Sequence, residues 1–302
     1  MNRTWAAGLS IQTQASAFLE EEHFDSVAYS MLATLERDEG RRTLLERLAR
    51  TEHEHATFWA GIAQRQPSKV NPLRLWLLKL LRRLAGLTFT MKFLELHEQH
   101  VIERYREILP SLDPSLQQQL QDILRDEEEH ERAFMAQVDD AAVRYIGFVA
   151  LGLSDAIIEI TGVHAGFLGV MGSTLVAGIA GLVVGFAASI SMGVAAYLKA
   201  KSETRHSPLA SALITSVSYI ASVVLLAAPY FLTESMLVAF GVSVVLAIGI
   251  SVGFTFYVSV VNETNFWREA VENTLLLLGT AVATYLFGEL LGAIFGVQRG
   301  MY

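Results

Sequence analysis

Five long apolar stretches in the second half of the chain constrain its fold more than any other feature. Short polar connections separate them, and they cover residues 145–170, 174–198, 209–232, 235–260 and 270–296. A helix of about 20 apolar residues crosses the hydrocarbon core of a bilayer. As buried helices of a soluble protein, five such stretches would leave too little polar surface to cover them. The sequence therefore predicts five transmembrane helices.

The charged residues are concentrated in the first half of the chain. Residues 1–140 contain 23 of the 31 acidic residues, 17 of the 23 basic residues and six of the eight histidines. The first 30 residues contain no apolar run typical of a signal peptide, so we expect this half to stay in the cytoplasm. The net charge of −8 and the lack of a long basic tract argue against nucleic acid as a partner. We predict two domains, residues 10–140 and 141–302.

Basic residues in the short loops predict the orientation of the spans. Arg144 precedes the first span, Lys199, Lys201 and Arg205 follow the second, and Arg268 lies between the fourth and fifth. Because cytoplasmic loops are enriched in Lys and Arg, these three places should face the cytoplasm. An odd number of spans then leaves the C-terminus outside. The expected location is the cytoplasmic (inner) membrane of a bacterium.

Ionisable residues inside the predicted spans are few. Asp155 and Glu159 lie four residues apart in the first span, so they share one helix face. A carboxylate at bilayer depth costs about 2.5–3.5 kcal/mol on insertion scales and usually faces an ion path or a proton relay. We interpret this pair as transport residues. Glu289, near the outer end of the fifth span, and His164, in the outer third of the first, fit a structural role as well as a functional one.

Two motifs in the first and second spans resemble the vacuolar iron transporter family. They are Gly-Leu-Ser-Asp-Ala-Ile-Ile-Glu-Ile-Thr-Gly at 152–162 and Ile-Ser-Met-Gly-Val-Ala-Ala-Tyr-Leu-Lys-Ala-Lys-Ser-Glu at 190–203. The resemblance implies a homodimer that exports Fe²⁺ or Mn²⁺ from the cytosol in exchange for protons, with Asp155 and Met192 on the ion path. The sequence departs from the family at Ala188 and Ala196, where many members carry acids. The loop after the second span is also too short for the family's metal-binding insert, so another part of the chain must collect the metal.

Two Glu-x-x-His motifs indicate a metal site in the first half. Each motif is preceded, 30 or 29 residues earlier, by a further Glu, so the half is a duplicated pair of helices. The candidate ligands are Glu22, Glu52, His55, Glu98, Glu127 and His130. All six interrupt an otherwise apolar helical stripe and should therefore point into the core. One Glu from each of two helices and Glu-x-x-His from the other two is the ligand arrangement of di-iron and di-manganese four-helix bundles. The pattern predicts a di-metal site for Fe²⁺, and Mn²⁺ suits the same ligands.

Other polar residues near these motifs have less specific roles. Tyr29 and Tyr105 each follow a partner Glu by seven residues, and either bond a metal-binding carboxylate or serve as core tyrosines. The remaining acids near the motifs fall off the apolar stripes and are expected to be surface charges. These are Glu20, Glu21, Glu54, Glu128 and Glu129.

Residues 12–140, with these motifs, resemble the rubrerythrin branch of the ferritin-like superfamily. The resemblance implies that Glu95, one turn before Glu98, is a further ligand. Because the chain has no cysteine, the rubredoxin-like module of rubrerythrins is absent. Fusion of such a domain to a vacuolar-iron-transporter-like domain resembles the membrane-bound ferritin proteins of bacteria, which implies iron export and peroxide resistance. The expected fold is all-α, a ferritin-like four-helix bundle followed by a five-helix transmembrane domain.

Several alternatives stay open at the level of the sequence. The protein is an iron exporter, a manganese exporter, or a membrane-anchored ferroxidase or peroxidase. The bundle is built within one chain or by exchange of helix pairs between two chains. The apolar and basic segment 74–84 either lies on the cytoplasmic face of the membrane or covers the bundle as a crossover helix.

Overall fold

Most of the described residues lie in helices. The computed structural model describes residues 10–137, 141–170, 173–203 and 206–296, with side chains omitted for 97–100 and 128–142. No strand occurs in these ranges, which confirms the prediction of an all-α protein. The chain divides into two compact units, Met1–Asp139 and Asp140–Tyr302.

The first unit contains four long helices. They are α1 (Ile11–Leu35), α2 (Glu39–Ala63), α3 (Pro72–Ile108) and α4 (Pro114–Gln137). Three of them begin at residues whose side chains accept a hydrogen bond from a backbone N–H of the first turn, Ser10, Asp38 and Asn71. Such caps satisfy amides that have no partner inside the helix. The helices therefore start where the sequence supplies a short polar side chain.

Helix α3 consists of two segments that meet at Gly86. The backbone of Gly86 has φ 91° and ψ 171°, a conformation that side chains with a Cβ rarely adopt. The turn separates residues 72–85, here named the amphipathic segment, from residues 87–108. The chain thus changes direction at this one residue, and both segments on either side of it are helical.

Two apolar clusters form the core of the first unit. The first cluster joins α1, α2 and α3 and includes Tyr29, Leu45 and Leu78. The second cluster draws on all four long helices, through residues such as Phe18, Trp59, Tyr105 and Leu120. The second cluster is therefore the place where the four helices meet.

In its described residues, the second unit contains five helical stretches that are long and apolar enough to span a membrane. They are α6 (Ile146–Val170), α7 (Thr174–Glu203), Pro208–Leu232, α10 (Met236–Asn262) and α11 (Phe266–Phe295). The third comprises α8 (Pro208–Ala227) and the short α9 (Pro229–Leu232), and a further short helix, α5 (Ala141–Arg144), precedes α6. The helices α7 and α11 extend past the apolar stretches because a helix continues through polar residues until a cap ends it. Asn265, for example, caps the N-terminus of α11.

Glycines allow α6 to approach its neighbours closely. A Cβ at Gly152 would lie 2.3 Å from the backbone oxygen of Thr215 on α8, and the Thr215 hydroxyl donates to the Phe148 carbonyl at 3.1 Å. Small residues and interhelical hydrogen bonds hold helices together where the hydrophobic effect is absent. The contact fixes the face of α6 that packs on α8, and with it the direction of the acidic residues on α6.

Candidate metal centre

Four ionisable side chains converge inside the first unit. Glu22 comes from α1, Glu52 and His55 from α2, and Glu127 from α4, and each offers one ligand atom within 4.8 Å of the others. All four side chains are buried, with relative exposures of at most 4%. Charged groups almost never occupy such places unless they are paired or bind a cation.

The imidazole of His55 lies at the centre of this group. Its Nδ1 is 2.9 Å from Glu127 Oε1, 3.3 Å from Glu52 Oε2 and 3.7 Å from Glu22 Oε2. Its Nε2 is 3.9 Å from a carboxylate oxygen of Asp126, whose side chain is 44% exposed. Three carboxylates thus surround a single nitrogen, and one positive charge on His55 leaves a surplus of buried negative charge.

A chain of hydrogen bonds fixes the Glu22 carboxylate. The Tyr105 hydroxyl donates to Glu22 Oε1 and accepts from the Trp59 indole N–H at 2.8 Å. The rings of Phe18, Trp59 and Tyr105 pack with centroids 4.6–4.9 Å apart. The second apolar cluster therefore holds the bonded hydroxyl in place, as residues that support a ligand do around metal sites.

The electrostatics of the group favour protons in the absence of a cation. Burial raises the pKa of Glu22 well above its ordinary value, the charges of Glu52 and Glu127 add to the rise, and the hydrogen bond with His55 opposes it. For His55, burial alone would lower the pKa, but the carboxylates of Glu127, Glu22 and Glu52 outweigh burial and raise it far above its ordinary range. Both pKa shifts favour the protonated forms of these groups, and a metal ion would compete with the protons for the same atoms.

The donor set is suited to a divalent cation of intermediate hardness. Three carboxylates and one imidazole are ligands typical of Fe²⁺, Mn²⁺ and Zn²⁺ in proteins, and the chain offers no thiolate. A divalent ion would compensate the surplus negative charge that the protein itself leaves buried. The cluster can therefore bind a metal, and its chemistry does not select one metal among these.

The structure brings together four of the seven ligands expected from the sequence. Glu95 lies on α3 and is half-buried, and the side chains of Glu98 and His130 fall outside the described residues. Tyr105 bonds a carboxylate of the cluster. Tyr29 lies in the first apolar cluster, whereas Tyr105 lies in the second.

The acids expected at the surface differ in their contacts. Glu54 is exposed. Glu20 accepts hydrogen bonds from Arg65 and Ser68, and Glu21 lies 3.2 Å from the guanidinium of Arg104. Glu128 and Glu129 lie among the side chains that are not described. Glu52, on the apolar stripe, is thus buried, whereas Glu54, two residues later and off the stripe, is exposed.

Sequence reasoning missed three residues beside the cluster. Burial raises the pKa of Asp25 well above its ordinary value, and the charges of Glu52 and Glu22 act in the same direction. Asp25 follows Glu22 by three residues, so helical spacing alone could have placed it near the site. Asp126 had no comparable signal, because it directly precedes Glu127 and so falls off the apolar stripe. Trp59 had none because an aromatic residue in an apolar stripe looks like an ordinary core residue.

In the second unit, the predicted transport residues lie on α6 and α7. Asp155 is exposed on the single chain and makes no hydrogen bond or ion pair with any residue in the described ranges. Glu159, one turn further along α6, accepts a hydrogen bond from the Tyr219 hydroxyl of α8. Met192 is partly buried and packs against an apolar cluster that α6, α8, α10 and α11 form together.

Two further residues that the sequence singled out, His164 and Glu289, have local contacts. His164 is fully buried, and the centre of its ring lies 4.0 Å from that of Tyr230, with the two rings tilted by 34°. Its Nε2 faces Gly181, where a Cβ would lie 2.4 Å away. Glu289 accepts a hydrogen bond from Tyr285, one turn earlier on α11, at 2.9 Å. His164 is therefore packed in the interior of the second unit, between helices.

Fold and site together define the class of this protein. Its described residues form helices without strands, five of them long and apolar enough to span a membrane, and include a buried Glu and His cluster that could bind a metal ion. No known protein family, curated protein or solved structure matches the chain.

Proposed function

We propose that this protein exports ferrous iron across the cytoplasmic membrane of a bacterium in exchange for protons. In this proposal the first unit is a ferritin-like four-helix bundle on the cytoplasmic side. Its di-iron site, completed by Glu95, Glu98 and His130, collects or senses iron and protects the cell against peroxide. The second unit is a five-span transporter of the vacuolar-iron-transporter type.

The exposed carboxylate of Asp155 is the observation that carries the proposal. Asp155 lies nine residues after the start of α6, about 14 Å along the helix axis at 1.5 Å per residue, which is close to mid-membrane. A span that serves only as an anchor gains nothing from a carboxylate that costs about 2.5–3.5 kcal/mol at this depth. Such a residue is instead typical of a path for ions or protons.

A second copy of the chain would cover Asp155. In a homodimer, the face of α6 that carries Asp155 packs against its equivalent, and the two carboxylates line a polar path instead of meeting lipid. Glu159, on the same face and bonded to Tyr219, would provide the next oxygen ligand along the helix. Met192 would add a thioether, which favours Fe²⁺ over Ca²⁺ and Mg²⁺.

In this proposal the buried cluster of the first unit collects metal from the cytosol, a role for which the membrane unit has no insert. The loop between α7 and α8 covers only residues 204–207 and cannot hold a metal-binding insert. Glu22, Glu52, His55 and Glu127 offer a site that removes Fe²⁺ from the cytosol before transport. A bound iron pair in such a site also supplies redox chemistry towards oxygen and peroxide.

The test is Fe²⁺ uptake into inside-out vesicles that carry a proton gradient. We expect uptake by the wild type, its loss in Asp155→Asn, and reduced or deregulated uptake in the double variant Glu52→Ala/Glu127→Ala. Glu272→Gln, which removes an exposed acid from the start of α11, is the matched control and should transport normally.

Two results would overturn the proposal. Absence of Fe²⁺ flux in the wild type, with Mn²⁺ transported instead, would show a manganese exporter. Absence of flux for either metal, together with Fe²⁺ oxidation that depends on Glu52 and Glu127, would show a membrane-anchored ferroxidase.

A further inference from the structure

The exposed apolar side chains of the first unit are concentrated on α3. Seven large apolar side chains are exposed among described residues 10–137, and six of them belong to this helix. Five lie on the amphipathic segment, at Leu73, Trp76, Leu77, Leu80 and Leu84, and are 36–77% exposed. Their spacing of three and four residues places them on one face of the helix, here named the outer stripe.

The opposite face of the amphipathic segment is occupied by the protein itself. Leu78 is buried in the first apolar cluster, and Leu75 and Leu81 pack against it. Arg82 pairs with Glu36 at 2.8 Å, and the guanidinium of Arg74 lies 4.1 Å from the centre of the Phe24 ring. The segment is thus anchored as a cover over the first cluster, and this packing leaves the outer stripe exposed.

The charged residues of the amphipathic segment itself are all basic. The sequence has no acidic residue between Glu54 and Glu95 but contains seven Lys and Arg residues there. Lys79 and Arg83 border the stripe, are exposed, and make no ion pair within the described part of the chain. An apolar stripe with Trp and Leu, bordered by free cations, is typical of helices that lie in the interface of an anionic membrane.

Apolar surface continues from the stripe into a cavity. The cavity has a volume of about 850 Å³, and its lining includes Leu77, Leu84 and the half-exposed Phe93. The acidic Asp25 also contributes to the lining. A space of this size and character beside the stripe fits acyl chains better than water.

We propose that the amphipathic segment docks on anionic lipid, with the outer stripe at the boundary between headgroups and acyl chains and Lys79 and Arg83 at the phosphates. The second unit has five helices long and apolar enough to span a membrane, which would keep a bilayer within reach of the chain. Anionic lipid supplies the negative charge that the segment lacks. A second copy is a poorer occupant, because a two-fold contact through the stripe would bring Lys79 and Arg83 of both copies together without compensating acids. The proposal requires membrane location alone and holds whichever ion is transported.

The absence of cysteine allows a direct test on the full chain. A single cysteine at Leu80→Cys carries an environment-sensitive nitrobenzoxadiazole label, and Glu46→Cys, at an exposed position of α2, is the matched control. The protein is placed in nanodiscs of phosphatidylcholine, with or without phosphatidylglycerol, that contain lipid with a spin-labelled headgroup. In the anionic discs we expect quenching at position 80 to exceed quenching at position 46 by about threefold.

Charge reversal separates lipid binding from other causes of an apolar environment. Lys79→Glu/Arg83→Glu should reduce the quenching at position 80, whereas Arg47→Glu/Arg50→Glu, the same charge change on α2, should not. Leu84→Cys gives a second labelling site on the stripe in case Leu80→Cys disturbs the helix. Equal quenching at positions 80 and 46 overturns the proposal. A blue-shifted but unquenched label also overturns it, because protein, from the same or a second copy, then covers the stripe.

Discussion

The substitution Glu22→Gln separates the two demands that the buried cluster places on one side chain. Burial raises the pKa of Glu22 well above its ordinary value, so burial favours the neutral form of this carboxyl in the metal-free protein. Glutamine has the same shape, is neutral, and can still accept the hydrogen bond from Tyr105. We therefore expect the free energy of unfolding of the metal-free unit to change by less than about 1 kcal/mol.

Metal binding should respond very differently, because glutamine cannot supply the negative charge. At a free metal concentration 100 times the Kd, binding stabilises the wild type by about 2.7 kcal/mol. If the substitution weakens binding about 100-fold, the same concentration stabilises the variant by only about 0.4 kcal/mol. The difference of about 2.3 kcal/mol corresponds to a roughly 50-fold difference in the protection of slowly exchanging amides.

Hydrogen exchange of α1 and α2 in the full chain, with and without Fe²⁺ under anaerobic conditions, measures both quantities. Glu54→Gln is the matched control, because Glu54 lies in the same motif as Glu52 and is exposed. Equal protection by metal in Glu22→Gln and the wild type would refute the reasoning. Loss of protection in Glu54→Gln to the same extent would refute it as well.

Three further predictions concern packing, protonation and hydrogen bonding. Gly152→Ala should lower the thermal stability of the second unit by about 1–3 kcal/mol in detergent, because its Cβ meets a backbone oxygen at 2.3 Å. Gly147→Ala, in the same helix with nothing within 4 Å, should not. Since the pKa of Glu22 and that of His55 are raised on folding, the metal-free first unit should lose stability as pH rises from 6 to 8. Metal affinity should rise over the same pH interval, because metal binding releases protons from these groups. Calorimetry in buffers of different ionisation enthalpy measures the affinity and the number of protons released. Tyr105→Phe leaves two buried polar groups without their partner and should destabilise the first unit by about 1–3 kcal/mol in denaturant titrations. A smaller loss than about 0.5 kcal/mol would mean that water replaces the hydroxyl.

The sequence predicted the helical class, the five apolar helices and the inward direction of Glu22, Glu52, His55 and Glu127. These predictions succeed because helical periodicity shows which residues share a face of a helix, and a carboxylate on the apolar face is carried into the core with its neighbours. Glu54 shows the same rule from the other side, since it differs from Glu52 by two positions and is exposed.

Other features depend on contacts that periodicity does not encode. The hydrogen bond from Trp59 to Tyr105 joins residues 46 positions apart, and nothing in either helix alone indicates the pairing. A position on the membrane surface and a position over the bundle are compatible for residues 74–84, because the two involve different faces of the helix. The inner face of the amphipathic segment covers the first cluster, while its outer stripe stays exposed.

The position of the ligands along the chain has a consequence for folding. Glu22 and Glu127 are 105 residues apart in sequence, yet their carboxylates meet at His55. An ion bound by both would act as a reversible cross-link that closes a loop of this length, and closure of long loops restricts the unfolded chain most. Withdrawal of the ion would therefore loosen the association of α4 with α1 and α2. The concentration of free metal would thus set how tightly these helices hold together.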